Sequence, residues 1–286
     1  MDAWIDCAGH LPWGQSGDQR FDDAASVGWE WDADSVTVMG HPRVRLQVSA
    51  DQPSAYVSVK LCDVFPDETS ALVSRGTLNL GCRDGFDSVE PLVPGQVYAV
   101  EVELDACAYS FDSGQRMRLS VAGADWPNTA APPGTVALTV HGGELELPVW
   151  HGPSGFDSPL LAPGGASNED PAGVVWTIER DVLAGTTSCV VDHGSTYDVP
   201  YGGEVTEHYK GFVTVDQVTF EQRTSAETTF MIRWPDIEVS TTATMEVVIT
   251  ASSVDVAIDL TADEGSDTGR STVGTRRWRE AIPRLA

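Results

Sequence analysis

From Val36 onward, apolar and polar residues take turns with a period of two. Val44, Leu46 and Val48 alternate with Arg43, Arg45 and Gln47, and Val57, Val59 and Leu61 with Ser58 and Lys60. Val100, Val102 and Leu104 alternate with Glu101 and Glu103, and Met117, Leu119 and Val121 with Arg118 and Ser120. Val136, Leu138 and Val140 follow, then Leu145 and Leu147. Successive side chains of a strand point to opposite faces, so each run predicts one apolar face turned inward and one wet face turned outward. Turn clusters punctuate the runs: Asp51-Gln52-Pro53, Pro66-Asp67-Glu68, Pro94-Gly95, Ser113-Gly114 and Pro132-Pro133-Gly134. Many short strands with regular turn signals predict an all-β fold, a jelly-roll β-sandwich.

On either side of residues 31–150, the pattern changes. Residues 1–30 show no period but hold Trp4, Trp13, Trp29 and the polar block Asp18-Gln19-Arg20-Phe21-Asp22-Asp23. They read as an extended segment laid over a surface, with its tryptophans as anchors. Residues 151–172 are rich in Gly, Pro and Ser and read as a linker. Strands resume at 174–179, 188–191, 203–215, 218–234, 237–251, 254–261 and 275–282, so 173–286 is expected to form a second antiparallel β lobe. Asp263-Glu264-Gly265-Ser266-Asp267-Thr268-Gly269 reads as a polar hairpin tip. The only helix expected is a single turn near 65–70 or 70–74.

Composition narrows the function classes. The net charge is −26, from 43 acidic and 17 basic residues, and the lysines are Lys60 and Lys210 alone. Such a surface repels nucleic-acid phosphates and anionic lipid, so neither is an expected partner. No apolar run approaches the roughly 18–20 residues that span a bilayer. Residues 1–10 lack a basic stretch followed by an apolar one, so they do not resemble a secretory signal, and a cytoplasmic location is expected. The five cysteines, Cys7, Cys62, Cys82, Cys107 and Cys189, are odd in number and widely spaced. They suggest neither a disulfide framework nor a zinc cage. A Cys62–Cys82 bridge across neighbouring strands is conceivable, but a reducing compartment disfavours it.

Candidate chemistry is sparse. Gly14-Gln15-Ser16-Gly17-Asp18 lacks the final glycine of a nucleophile elbow and follows no strand-like run. His193 could be a base oriented by Asp192 or Asp198, with Ser195 as nucleophile. Neighbours on a strand point apart, however, and Asp192 to Asp198 reads more simply as a turn rich in Asp, Gly and Ser. Glu204 and His208 share a strand face while Glu207 lies on the other, which leaves a metal site incomplete. Asp63, Asp67 and Asp125 could ligate calcium, but no dense acidic loop is present. Trp126-Pro127-Asn128, after Asp125, could stack on a ligand or dock on a partner domain. No catalytic residue, metal or cofactor is assigned from the residues themselves.

Five segments carry a resemblance. Lys60-Leu61-Cys62-Asp63-Val64-Phe65-Pro66-Asp67-Glu68-Thr69-Ser70, with Ser74-Arg75-Gly76-Thr77-Leu78, resembles the C-terminal jelly roll of the X-Pro dipeptidyl-peptidase and cocaine-esterase (CocE/NonD) hydrolases. Gly114-Gln115-Arg116-Met117-Arg118-Leu119-Ser120-Val121-Ala122-Gly123-Ala124-Asp125-Trp126-Pro127 is similar to the same region. Gly9-His10-Leu11-Pro12-Trp13-Gly14-Gln15 with Asp18-Gln19-Arg20-Phe21-Asp22-Asp23-Ala24 resembles the exit from that family's catalytic domain. Residues 192–198 and 277–284 resemble the extra C-terminal lobe of longer members. The resemblance implies a galactose-binding-like jelly roll that follows an α/β-hydrolase domain with a Ser-His-Asp triad. That domain cleaves ester or amide bonds, including Xaa-Pro peptides. The triad has no counterpart in this sequence, and His10 is not given the role.

The expectation is therefore a non-catalytic β-sandwich region that packs on a hydrolase domain, or on a homologous chain, and shapes its active-site mouth. Trp4, Trp13, Asp125, Trp126 and Asn128 are the expected docking or binding residues, and they should form an exposed apolar patch. The alternative is a stand-alone carbohydrate- or small-ligand-binding module with an aromatic-lined groove. A decayed remnant is the third reading.

Overall fold

A computed structural model describes residues 18–152, 173–266 and 269–284. These residues are almost entirely antiparallel β structure and divide into two compact units, one on each side of residues 153–172.

The first unit is a jelly-roll β-sandwich. Its front sheet has the order β1-β8-β4-β5, built from β1 (Val27–Asp32), β8 (Arg116–Ala122), β4 (Tyr56–Val64) and β5 (Ser70–Asn79). The back layer holds β6 (Tyr98–Glu103), β3 (Arg43–Ala50) and β9 (Leu138–Glu146), together with the pair β2 (Val36–Gly40) and β7 (Cys107–Phe111). Residues after β9 stitch the two back pieces together: Met39 N donates to Pro148 O at 2.9 Å and Trp150 N to Thr37 O at 2.8 Å. Val44, Leu46 and Val48 of β3, Val57, Val59 and Leu61 of β4, and Leu119 and Val121 of β8 all enter the shared core, as their period of two predicts. Phe111 and Leu104 join them. The wet face of the back sheet is a ladder of exposed ion pairs, with Arg43–Glu103 at 2.9 Å, Arg45–Glu101 at 2.8 Å and Arg45–Glu146 at 2.9 Å.

The front sheet departs from expectation. Ser58, Lys60 and Ser120, placed on a wet face by their alternation, are buried. The reason is a third layer: the single-turn helix α1 (Arg20–Asp23) and the residue before it lie over β4 and β8. The expected helix at 70–74 is instead the start of β5, and residues 27–30 enter the front sheet as its edge strand rather than crossing over it.

The second unit is one seven-stranded sheet in which each strand pairs with its successor. The order is β10 (Val175–Asp181), β11 (Thr186–Val199), β12 (Gly203–Asp216), β13 (Gln222–Arg233), β14 (Glu238–Ile249), β15 (Ser253–Ser266) and β16 (Gly269–Pro283). Two predicted turns prove to be strand. Residues 192–198 continue β11, because their polar side chains find cross-strand partners on β12. Gly194 is needed there, since a Cβ would lie 2.6 Å from the Glu207 carbonyl oxygen. Residues 263–266 continue β15, where Thr272 Oγ1 donates to Asp263 at 2.7 Å. Conversely, residues 218–220 are turn and not strand, because the Asp216 carboxylate accepts from the Val218 and Thr219 amides at 2.8 and 2.7 Å.

Candidate functional site

The covered outer face of the front sheet is the most concentrated polar site in the first unit. Lys60 on β4 pairs across the sheet with Ser120 on β8 and Arg75 on β5, so three polar side chains form a row on one face. Cys62, Ser58 and Arg118 extend that face. Residues 19–23 lie on it with their acidic side chains inward. Lys60 Nζ donates to Asp22 Oδ2 at 2.6 Å and stands 3.9 Å from Asp125 Oδ1. Asp23 accepts three bonds, from Arg118 at 2.6 Å, Ser120 Oγ at 2.8 Å and Ser70 Oγ at 2.6 Å. Gln19 N donates to Ser70 O at 2.7 Å, which ties the covering segment to β5. The side chains of Lys60 and Asp125 are only 8% and 3% exposed.

This layer is electrostatic glue rather than reactive machinery. Burial opposes ionisation of Asp22, yet the Lys60 ammonium helps hold its carboxyl below the usual range. Burial, reinforced by the Asp23 carboxylate, pushes the Cys62 thiol up to about 12, so no thiolate is available near neutral pH. The Ser70 and Ser120 hydroxyls spend their protons on Asp23, a partner that holds them in place.

The loop after β8 borders this layer. Asp125 Oδ2 accepts from Asn128 Nδ2 at 3.0 Å, Asp125 O accepts from Thr129 N at 3.0 Å, and the Trp126–Pro127 peptide is cis. A cleft of about 180 Å³ opens beside it, lined by Tyr56, Ser58, Thr77, Asn79, Asp125 and Thr129. The sequence-predicted residues therefore separate. Asp125 and Asn128 meet, and Asp125 joins the Lys60 layer. Trp126 is buried, with 6% exposure, so it does not contribute to an exposed apolar patch. Trp4 and Trp13 lie outside the described residues. Alternation alone missed Lys60, Asp22, Asp23 and Arg118. One signal was available: Lys60 is one of only two lysines, and it stands between the apolar core residues Val59 and Leu61.

The remaining candidates do not converge. Asp192 accepts from His208 at 2.7 Å, while His193 stacks on Tyr209 with ring centroids 4.8 Å apart. Ser195 Oγ donates to Glu207 at 2.8 Å, and Tyr209 OH bonds the same carboxylate at 3.2 Å. Ser49 Oγ meets His141 Nε2 at 2.9 Å, but among the described residues no carboxylate bonds the ring. Asp63 accepts from Tyr109 OH, Asp67 from the Thr69 amide, and Asp125 from Asn128, so the three aspartates do not share a site. No group of three potential metal ligands occurs among the described residues. The four described cysteines are free thiols, so Cys62 and Cys82 are not bridged. No helix among the described residues is long and apolar enough to cross a membrane.

Comparison with known proteins gives a consistent picture. Residues 18–160 match the family described as the X-Pro dipeptidyl-peptidase C-terminal non-catalytic domain. A Rhodopirellula baltica protein named as an Xaa-Pro dipeptidyl-peptidase is 30% identical over 125 residues, covering 41% of this chain and 20% of that protein. A cocaine esterase of Rhodococcus is 27% identical over 106 residues, covering 37% of this chain and 18% of the esterase. The chain thus spans about a fifth of the length of these curated relatives. Among solved structures, an α-amino acid ester hydrolase superposes with a TM-score of 0.46 at 22% identity, covering 48% of this chain and 28% of that one.

Proposed function

This chain belongs to the X-Pro dipeptidyl-peptidase C-terminal non-catalytic domain family, and from that premise we propose that it supports a CocE/NonD-type serine hydrolase domain by docking against it. The covered front face carries this reading. A sandwich standing alone shows water the outer face of each sheet, and the back sheet does so with its ion-pair ladder. The front sheet instead buries a cationic row under residues 19–23, the stretch whose sequence resembles the exit from a catalytic domain. Asp125 and Asn128, together with Trp4 and Trp13, are the proposed docking residues, with the buried Trp126 anchoring their loop from inside, and the Asp125 loop would border the mouth of the partner's active site. Ester or amide cleavage, including that of Xaa-Pro peptides, belongs in this reading to the hydrolase domain.

We take the jelly roll to run from β1 to residue 150, starting at Val27 and not at the expected 31, with 151–172 as a linker and 173–286 as a second lobe. Free thiols at Cys62, Cys82, Cys107 and Cys189 support a cytoplasmic setting. The test is twofold. Titration calorimetry of this chain with a CocE/NonD hydrolase domain should give saturable heat that Asp125→Ala weakens; no heat at all would oppose the reading. With p-nitrophenyl esters and Ala-Pro amides, this chain alone should give no turnover. Turnover by the purified chain that Ser195→Ala or His193→Ala abolishes would overturn the non-catalytic assignment.

A further inference from the structure

The region matched to the family ends at residue 160, and the second unit lies beyond it. We propose that one face of its seven-stranded sheet is a self-association surface, on which two copies of this chain stack sheet against sheet as a two-fold dimer.

The register fixes which residues share a face. Ile178 pairs with Cys189, Cys189 with Val213, Val213 with Thr224, Thr224 with Val247, and Val247 with Val256. Following the same rows, Ala226, Met245, Ile258 and Trp278 lie on this face, while Glu227, Thr244, Asp259 and Arg277 lie on the other. Strands β13, β14 and β15 carry no charged residue on the first face before Glu264. Their opposite face is strongly charged. Large apolar side chains of the first face remain open, with Trp278 45% and Ile282 50% exposed. A soluble chain rarely leaves so broad an apolar surface uncovered.

Three observations favour a second copy as the occupant. The first is area. Strands of about twelve residues at about 3.3 Å each, spaced about 4.8 Å apart, give a face of roughly 1,000 Å². A stable interface needs about 800 Å² from each partner. The second is charge. A chain of net −26 repels its own copies wherever acidic surface meets acidic surface, and repulsion is weakest on this face, where β13 to β15 are uncharged up to Glu264 and the flanking strands set Arg180 and Arg276 against Glu207 and Glu280. The third is the state of the sheet edges. Strand β16 carries Arg276, Arg277 and Arg279, and β10 carries Glu179, Arg180 and Asp181, devices that discourage edge-to-edge pairing. The face is left as the permissive direction. Two apolar sheets stacked about 10 Å apart form the interior of an ordinary sandwich. Strand β13 is the middle of the seven, so the two-fold axis that overlaps the whole face passes through it and stacks it on its own copy.

Sedimentation equilibrium of the full chain tests this. At about 1 M salt, where the Debye length falls to about 3 Å, the mass should be twice 30.6 kDa. At about 0.1 M it should shift toward the monomer. Ala226→Arg and Thr228→Arg each set a guanidinium against its own copy on β13, and each should weaken the dimer more than tenfold with an unchanged circular dichroism melt. Thr244→Arg adds the same charge to the opposite face and should leave the dimer intact. A mass of 30.6 kDa at both salts, the result expected if a hydrolase domain is the natural cover, overturns the proposal. So does a dimer that survives both β13 substitutions, one that Thr244→Arg dissociates, or a mass that grows past the dimer with concentration.

Discussion

Replacing Lys60 by methionine keeps the aliphatic stem and deletes the ammonium. In the wild type that ammonium donates to Asp22 at 2.6 Å and faces Asp125 at 3.9 Å, with all three side chains largely withdrawn from water. The variant takes the Lys60 ammonium away from two buried carboxylates. Breaking a buried pair from one side costs about 3–5 kcal/mol, mostly the uncompensated charge. With a urea slope of about 1–3 kcal/mol per molar, the midpoint should fall by roughly 1–3 M. Hydrogen exchange of peptides from β4 and β8 along the urea series reports the sandwich alone. Lys60→Met with Asp22→Asn should recover part of the loss, because the double variant strands one charge fewer. Arg45→Met, in the exposed ladder, should leave the midpoint in place. The pH dependence has a definite sign. Asp22 has a lowered folded value, so its contribution is present above the unfolded carboxylate value of about 3.9 and is lost as pH falls through the folded one. The gap between wild type and Lys60→Met should therefore close in acid. A midpoint for Lys60→Met indistinguishable from wild type at neutral pH would refute the reasoning, as would a double variant no better than the single.

Other outcomes follow from the same structure. Tyr109→Phe removes the 2.8 Å bond to the buried Asp63 carboxylate and should cost about 1.5–3 kcal/mol in urea unfolding near neutral pH. Burial and the Asp112 charge hold the Asp63 carboxyl above its usual range even against that bond, so its folded state keeps the proton longer than the unfolded one. Stability should accordingly fall as pH rises through the raised value, and more steeply in Tyr109→Phe. Cys62, with its thiol at about 12, should escape labelling by a thiol reagent at pH 8 until urea is added, as peptide mass spectrometry would show. Gly194→Ala puts a Cβ 2.6 Å from the Glu207 carbonyl and should destabilise the second unit by about 1–3 kcal/mol, read from its urea unfolding.

The sandwich was legible wherever alternation coincides with burial on one side only. Val44 to Val48 and Val100 to Leu104 are of this kind, because their intervening arginines and glutamates do meet water. Strand β4 was legible as a strand but not as a surface. Ser58 and Lys60 look wet in sequence, and only the fold brings residues 19–23, some forty positions earlier, to cover them. Turn chemistry misled where cross-strand partners competed with it. Asp192, Ser195 and Asp263 have the composition of loops, yet His208, Glu207 and Thr272 hold them in strands. The reverse happened at Asp216, whose carboxylate captured two amides and put a turn where hydropathy begins the next strand, so β13 starts only at Gln222. Trp126 shows the same limit: an aromatic in a loop signals contact, and here the contact is its own interior.

The pairing pattern also bears on the order in which the chain acquires its shape. In the sandwich, Ser49 and His141 come together across 92 intervening steps of chain, so the jelly roll closes only once most of its length is available. In the meander, Ser195 meets Glu207 across 12, and every strand finds its partner immediately next in sequence. Loop-closure entropy makes the first search slow and the second fast. During synthesis, the later of the two units can thus complete its topology within a short interval of emerging, whereas the jelly roll needs most of its own length before its long-range pairings close.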